Sequence, residues 1–292
     1  MDKHRKLNSD LSLKDFKIEK KIGKGYFSEV TGLKCAIKAV KKDPNKTTYR
    51  RLLNERNILK TVNTPYIPEL LGAFQDDSRA FIVMNFFEKG DLKSLSKKER
   101  LTENGLKPLV LQVVKAIAAL HSYNIVHGDI KPDNILISAN RRAVLSDFGL
   151  AEISTKGFKE NTIALMYTAP EVLKNKKCFA SDWWSFGVTL FELVTGSLPF
   201  RLYVDKKNEV SFSEKCKLNF RILTQTIVSF PSEMSESLKN LIENLLQVDP
   251  CKRLRSKEII EHEFFKPSVQ SKMNKHLNFG KIIYSTEKLS SN

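Results

Sequence analysis

His127-Gly128-Asp129-Ile130-Lys131-Pro132-Asp133-Asn134, with Asp147-Phe148-Gly149 beginning thirteen residues after Asn134, is the stretch on which the reading of this chain turns. It gathers an aspartate, a lysine and an asparagine into one short loop and sets a second aspartate on the next hairpin. Such a set suits the movement of a phosphoryl group. A carboxylate can orient a hydroxyl, a cation can meet developing charge, and two oxygen donors can hold magnesium.

Outward from that loop the chain divides into two kinds of pattern. Before it, Phe16 to Val40 alternates and carries Gly23, Gly25 and Gly32, which predicts short strands with tight turns. Thr47 to Val62 has apolar residues at Leu52, Leu53, Ile58, Leu59 and Val62, a helical spacing. Ile67 to Phe74 and Ala80 to Phe87 read as further strands around a turn at Gln75-Asp76-Asp77-Ser78. After Gly90 the pattern is helical: Asp91 to Ser96, Thr102 to Ser122, Ser181 to Thr195, Ser235 to Gln247 and Ser256 to His262. Thr102 and Ser235 stand where helices start. The expectation is an α+β chain, with a small antiparallel lobe (16–86) carrying one helix and a larger, mainly helical lobe (91–266). A short extension (1–15) precedes them and a tail (267–292) follows.

The bulk numbers fit a folded protein of 292 residues, at 41% hydrophobic and 28% charged. Forty-nine basic against thirty-three acidic residues give a net charge of +16. That balance favours acidic partners or nucleic acid in principle. The lysines are spread along the chain, however, and no aromatic-interleaved nucleic-acid motif accompanies them, so direct nucleic-acid binding is not expected. The four cysteines form no CxxC pair, which argues against a disulfide framework and fits a reducing compartment, cytoplasmic or nuclear. The first fifteen residues are polar and charged, and no apolar run is long enough to span a bilayer.

With its flanks, the chain resembles the eukaryotic protein-kinase family over residues 16 to 266. The resemblance rests on GKGYFSEV (23–30), CAIKAV (35–40), HGDIKPDN (127–134), DFG (147–149), APE (169–171), DWWSFG (182–187) and DPCKRL (249–254). It implies a bilobal fold and a kinase using ATP and Mg2+. Asp129 would orient the substrate hydroxyl and Lys131 would steady the transferring group, while Asn134 and Asp147 would bind the metal. Lys38 would hold the nucleotide phosphates, with Glu55 as its ion-pair partner. Further nucleotide contacts are implied at Ile22, Gly23, Lys24, Gly25, Tyr26, Phe27, Val30, Ala36, Met84, Asn85, Phe87, Asp91 and Leu136. His127 and Phe148 would stack in the core with Leu59 and Leu70, and Glu171 and Arg253 would form a buried pair.

Lys131, two residues after Asp129, is the serine/threonine form of the loop. The segments ERNILKTVN, PYIPELLGAFQD and EIIEHEFFKP look closest to the cyclic-nucleotide-dependent (AGC) group. Its acidic substrate-reading positions correspond to Asp91, Asp133 and Glu192, so basic protein substrates are expected. Compact length, a clipped small lobe and a Lys/Asn-heavy composition also resemble kinases of large DNA viruses, baculoviruses and granuloviruses among them. That likeness would make basic nucleic-acid-packing proteins plausible substrates.

Several positions depart from the family pattern. Gly128 replaces the arginine that usually grips a phosphorylated activation segment, and the matching acceptor position is Glu160. Together they imply independence from activation-loop phosphorylation. Only five residues separate Val30 from Ala36, so the second strand and its turn are expected to be clipped, with Gly32 as the bend. Bracing of the Glu55 helix would then come from elsewhere, and a homodimer through that helix is the expectation. Ala164 replaces a threonine that bonds the catalytic aspartate and lysine, Ser28 replaces a glycine, and the tail lacks the FxxF motif of the group. The competing readings are a pseudokinase scaffold and a basic nucleic-acid-associated protein.

Overall fold

Strand alternation explains the small lobe. A computed structural model describes residues 11–22, 25–30, 33–99, 101–154, 165–174, 176–200 and 230–266. In it, β1 (Lys17–Ile22), β2 (Gly25–Val30), β3 (Leu33–Lys41), β4 (Leu70–Gln75) and β5 (Arg79–Asn85) form one antiparallel sheet of order β1-β2-β3-β5-β4. Along β3, Cys35 and Ile37 point into a cluster with Phe16, Leu71, Phe81 and Val83. Ala36 and Val40, on the opposite face, pack against the main core, and the period of two puts Lys38 on that same face.

Helix α1 (Thr47–Thr61) buries Leu52, Glu55, Ile58 and Leu59. Their spacing is one helical stripe, which carries Glu55 inward with its apolar neighbours. The shortened β2–β3 connection falls on the turn. Val30 pairs with Leu33, and β2 keeps six residues, so the strand itself is not clipped away. Gly32, at the bend, lies outside the described residues.

The larger lobe is built on α2 (Leu92–Lys98), α3 (Glu103–Ser122), α4 (Pro170–Leu173), α5 (Phe179–Thr195), α6 (Glu236–Leu245) and α7 (Ser256–Glu261). Thr102 and Ser235 cap α3 and α6 as expected, accepting from Gly105 N and Leu238 N. Helix α5 starts at Phe179, two residues before the expected Ser181. Ser181 acts inside the first turn instead, accepting at Oγ from the Cys178 amide at 3.1 Å. Trp183, Trp184, Phe186, Val188, Leu190 and Phe191 are all buried, so α5 is apolar nearly all round and forms the axis of the lobe. Gly187 lets α6 approach it: a Cβ there would meet the Leu245 Cβ at 2.8 Å. Among the described residues no helix is long and apolar enough to cross a membrane.

Short strands place the loops between the lobes. β7 (Ile135–Ile137) and β8 (Ala143–Leu145) form a hairpin, while β6 (Ile125–Val126) pairs with β9 (Glu152–Ile153). The hairpin register sets Ile135 against Leu145, and Ser146 donates to the Asn134 carbonyl from N (2.8 Å) and Oγ (3.0 Å). Asn134 and Asp147 are thereby brought to the same end of one hairpin.

Candidate active site

Asp182, fully buried at the start of α5, organises the 127–134 loop. Its carboxylate accepts from the backbone amides of His127 and Gly128, each at 2.9 Å, and lies 2.9 Å from His121 Nε2. Burial alone would raise this carboxyl. The His121 bond, the nearby His127 and the Gly128 amide outweigh it and hold it below the usual carboxylate range. Gly128 has φ +74, a conformation glycine adopts without strain.

The loop points its chemistry into one cluster. Lys131 Nζ lies 2.8 Å from Asp129 Oδ2 and 3.0 Å from Oδ1. Asn134 Nδ2 donates to the Asp129 carbonyl (2.8 Å) and to Oδ2 (2.9 Å). Because both bonds use the amide nitrogen, the Asn134 Oδ1 oxygen remains for a cation. Asp129 and Asn134 are themselves buried.

Lys38 joins this cluster to the small lobe. Its Nζ donates to Glu55 Oε2 at 2.5 Å and to Asp147 Oδ1 at 3.0 Å. Burial would lower the Lys38 ammonium, but Glu55 and Asp147 outweigh it and hold it above the ordinary lysine range. Burial raises the Glu55 carboxyl, with Lys38 opposing. Asp147 is held low, Lys38 overcoming the cost of its burial. Its backbone is left-handed at φ 63, unusual for a side-chain-bearing residue. His127 and Phe148 meet with ring centroids 5.2 Å apart, both fully buried, and Leu59 and Leu70 belong to the same core. Burial holds His127 below its ordinary value, hence neutral. Arg253 Nη1 pairs with Glu171 Oε1 at 2.7 Å, also buried.

The cleft positions expected to meet nucleotide are placed by strand register. Ala36 lies opposite Met84 on β5 and opposite Phe27 on β2, while Gly25 faces Lys38. Ile22, Tyr26 and Val30 are placed by backbone in β1 and β2. Met84 and Phe87 are buried, and Leu136 forms an isolated bridge with Asp91. Asn85 ties both its N and its Oδ1 to Glu69, at 3.4 and 2.9 Å. Gly23, Lys24, Glu160, Ala164 and the tail after Lys266 lie outside the described residues.

The three positions expected to read substrate do not share one partner. Asp91 spends its carboxylate capping α2, accepting from Ser94 N (2.7 Å) and Ser94 Oγ (2.9 Å). Asp133 and Glu192 instead share Lys93, whose Nζ is 3.4 Å from one and 3.6 Å from the other, and Tyr167 donates its hydroxyl to Glu192.

Side chains that sequence patterns did not single out complete the site. Asn54, one residue before Glu55, donates to the carbonyls of Phe148 (3.0 Å) and Ala151 (2.7 Å), fastening α1 to the segment after Asp147. Asp182 and Lys177 are two more. The DWWSFG motif carried Asp182 but not its work, and nothing local marks Lys177 or Asn54.

A small sheet over a helical lobe, with a lysine–glutamate–aspartate bridge above an Asp-Lys-Asn loop, defines a phosphotransferase-type cleft. Residues 16–265 match the protein kinase domain family, and the chain belongs to it; its curated relatives put it in the serine/threonine class. It is 34% identical over 278 residues to a probable serine/threonine-protein kinase of Dictyostelium discoideum, an alignment spanning 89% of this chain and 59% of that one. It is 31% identical to an Aurora kinase of Eremothecium gossypii (87% of this chain, 70% of the relative). Ribosomal protein S6 kinase alpha-2 of Mus musculus is 33% identical (86% of this chain, 36% of the relative). The chain thus spans well under two thirds of the length of the first and third of these relatives.

Proposed function

We propose that this chain is an active serine/threonine kinase that passes the γ-phosphate of ATP, with Mg2+, to a hydroxyl of a protein substrate. The observation that carries the reading is Lys38 Nζ held at once by Glu55 (2.5 Å) and Asp147 (3.0 Å). That bridge joins the small lobe and α1 to the loop that would bind metal, which is the positioning such catalysis needs. The donor set fits a hard cation: Asn134 Oδ1 and the ionised Asp147 supply oxygens, and nucleotide phosphates would supply the rest.

Bound Mg-ATP supplies the phosphoryl group and neutralises its charge. Asp129 orients the attacking hydroxyl and receives its proton, and Lys131, touching both Asp129 oxygens, offsets charge beside it. Phosphate incorporation into basic and acidic proteins, with Asp129→Ala as control, tests this. Loss of Asp129 should cost on the order of a hundredfold or more in rate. Equal incorporation by Asp129→Ala would sink the assignment, and no incorporation by either chain would favour a pseudokinase scaffold.

The similarity to an S6 kinase supports the AGC-like reading. Basic substrates are proposed from Asp133 and Glu192, with Lys93 as the cation that a substrate arginine or lysine must displace. Gly128 supports independence from activation-loop phosphorylation; phosphatase treatment that abolishes activity would contradict it. The bracing assigned to a second copy of the chain is supported within one copy by Asn54 and Lys38, and sedimentation decides whether a dimer forms as well. The viral likeness rests on compact length, the short β2–β3 turn and a Lys/Asn-heavy composition; the relatives named above come from Dictyostelium discoideum, Eremothecium gossypii and Mus musculus.

A further inference from the structure

Lys177 lies in the short connection between α4 and α5, far in sequence from the catalytic loop. Its Nζ donates to the Leu150 carbonyl (3.1 Å) and to Glu152 Oε1 (3.1 Å). The pair is largely withdrawn from solvent, with side chains 11% and 15% exposed. Leu150 is three residues past Asp147. Glu152 sits in β9 opposite Val126, the residue before His127-Gly128-Asp129. Lys177 crosses directly over Gly128: a Cβ at that position would lie 2.5 Å from the Lys177 Nζ and 2.8 Å from its Cε. The space left among Gly128, Lys177 and Asp182 is about 20 Å3, room for one water. A side chain at 128 would have to displace the end of Lys177.

We infer that Lys177 is a positioning residue, an internal clamp that fastens the segment after Asp147 to the α4–α5 connection while packing across Gly128 of the Asp129 loop. The absent side chain at 128 and the lysine that fills its place are two halves of one arrangement. The amide of Gly128 is held from one side by Asp182, while Lys177 ties β9 and Leu150 on the other. A buried ion pair is worth most when geometry is good and further hydrogen bonds complete it, and the Leu150 carbonyl supplies one. The clamp does from within the chain what an arginine and a phosphate do in kinases that carry them. Its kinetic consequence rests on the kinase reading above, but its structural consequence does not.

Both consequences can be read on the full chain. Amide hydrogen exchange at residues 125–128 and 150–153 is compared among wild type, Lys177→Met, Lys177→Arg, Glu152→Gln and the Lys177→Met/Glu152→Gln double variant. Kcat and KM are measured on the same samples. Lys177→Met should speed exchange there and lower kcat by roughly tenfold each, leaving KM for ATP within about twofold, and Lys177→Arg should retain most of both. The double variant should lose less than the sum of the two single losses, because the interaction they share can be removed only once. Unchanged exchange, or losses that add, would overturn the clamp. Should Lys177→Met fail to fold, Lys177→Arg must keep the protection that Glu152→Gln loses; loss in both, or in neither, overturns it. A chain protected through Lys177 that transfers no phosphate keeps the clamp and defeats the kinase reading. An active chain indifferent to Lys177 does the reverse.

Discussion

Replacing Asn54 by alanine should weaken catalysis more than a surface asparagine on a helix would lead one to expect. Its amide donates to the Phe148 and Ala151 carbonyls, at 3.0 and 2.7 Å. The Phe148 carbonyl keeps a second donor, the Ala151 amide at 3.2 Å. The Ala151 carbonyl belongs to a residue 3% exposed, and among the described residues its hydrogen bond comes from Asn54. Truncation therefore removes one shared bond, about 0.5–1.5 kcal/mol, and strands one buried acceptor, about 1–3 kcal/mol. With water relieving part of this, about 2 kcal/mol is lost from the state in which α1 engages the Asp147 segment. That corresponds to a factor of about 30 in the equilibrium. Kcat should fall about 5-fold if the engaged state begins about 1 kcal/mol ahead, less if it begins further ahead, and by up to about 30-fold if it begins behind. Steady-state kinetics beside thermal melting provide the assay. Asn54→Asp makes the reasoning sharper, because it keeps the shape but aims an acceptor at two carbonyl oxygens and adds negative charge beside Glu55. It should be worse than alanine. Asn54→Ala with both kcat within twofold of wild type and an unchanged melting temperature, or an aspartate variant as active and as stable as the wild type, would refute the argument.

Removing the competing cation by Lys93→Ala should lower KM for peptides with upstream arginine by about 2–5-fold and not for acidic peptides, the scale of a partly exposed ion pair. Equal shifts for both peptide types would remove Lys93 from substrate reading. Glu171→Gln strands the Arg253 guanidinium, whose side chain has no solvent exposure, and should cost about 3–5 kcal/mol of stability by denaturant unfolding; a loss under 1 kcal/mol, on the scale of an exposed pair, would show that the carbonyls of Gln247 and Ala180 suffice for Arg253. Stability should also decline early on acidification. An unfolded histidine takes a proton near pH ~6.5, whereas burial, only partly opposed by Asp182 and Asp129, keeps His127 neutral in the fold. The unfolded state then binds more protons, so this contribution is fully present above that pH and is lost progressively over roughly the pH unit below it. Denaturant midpoints flat across that window, or a His127→Phe variant with the same slope, would count against it.

Much of the architecture could be read along the chain because it is written in short periods. The two-residue alternation around Lys38, the helical stripe that carries Glu55, and the caps Thr102 and Ser235 all depend on neighbours within a few positions. The order of HGDIKPDN and DFG around one hairpin put Asn134 beside Asp147 for the same reason. Asp91 was legible only in part. As an acidic residue before a helix it suits either a ligand or a cap, and local sequence does not say which use claims the carboxylate; the Ser94 bonds do.

The amino-acid sequence by itself determined the two-lobed α+β plan, the family and the set of groups available for phosphoryl transfer, since each is a property of local pattern or motif order. Tertiary structure alone decided how those groups are held. Asn54 reaches a carbonyl 94 residues away, and Asp182 receives amides 54 and 55 residues before it. Lys177 fills the place left open by Gly128. No periodicity carries such pairings, because they are set by where packed elements bring side chains together and by the cost of burying a charge or amide without a partner. At position 128 the sequence showed an arginine missing. The fold shows the lysine that occupies its space.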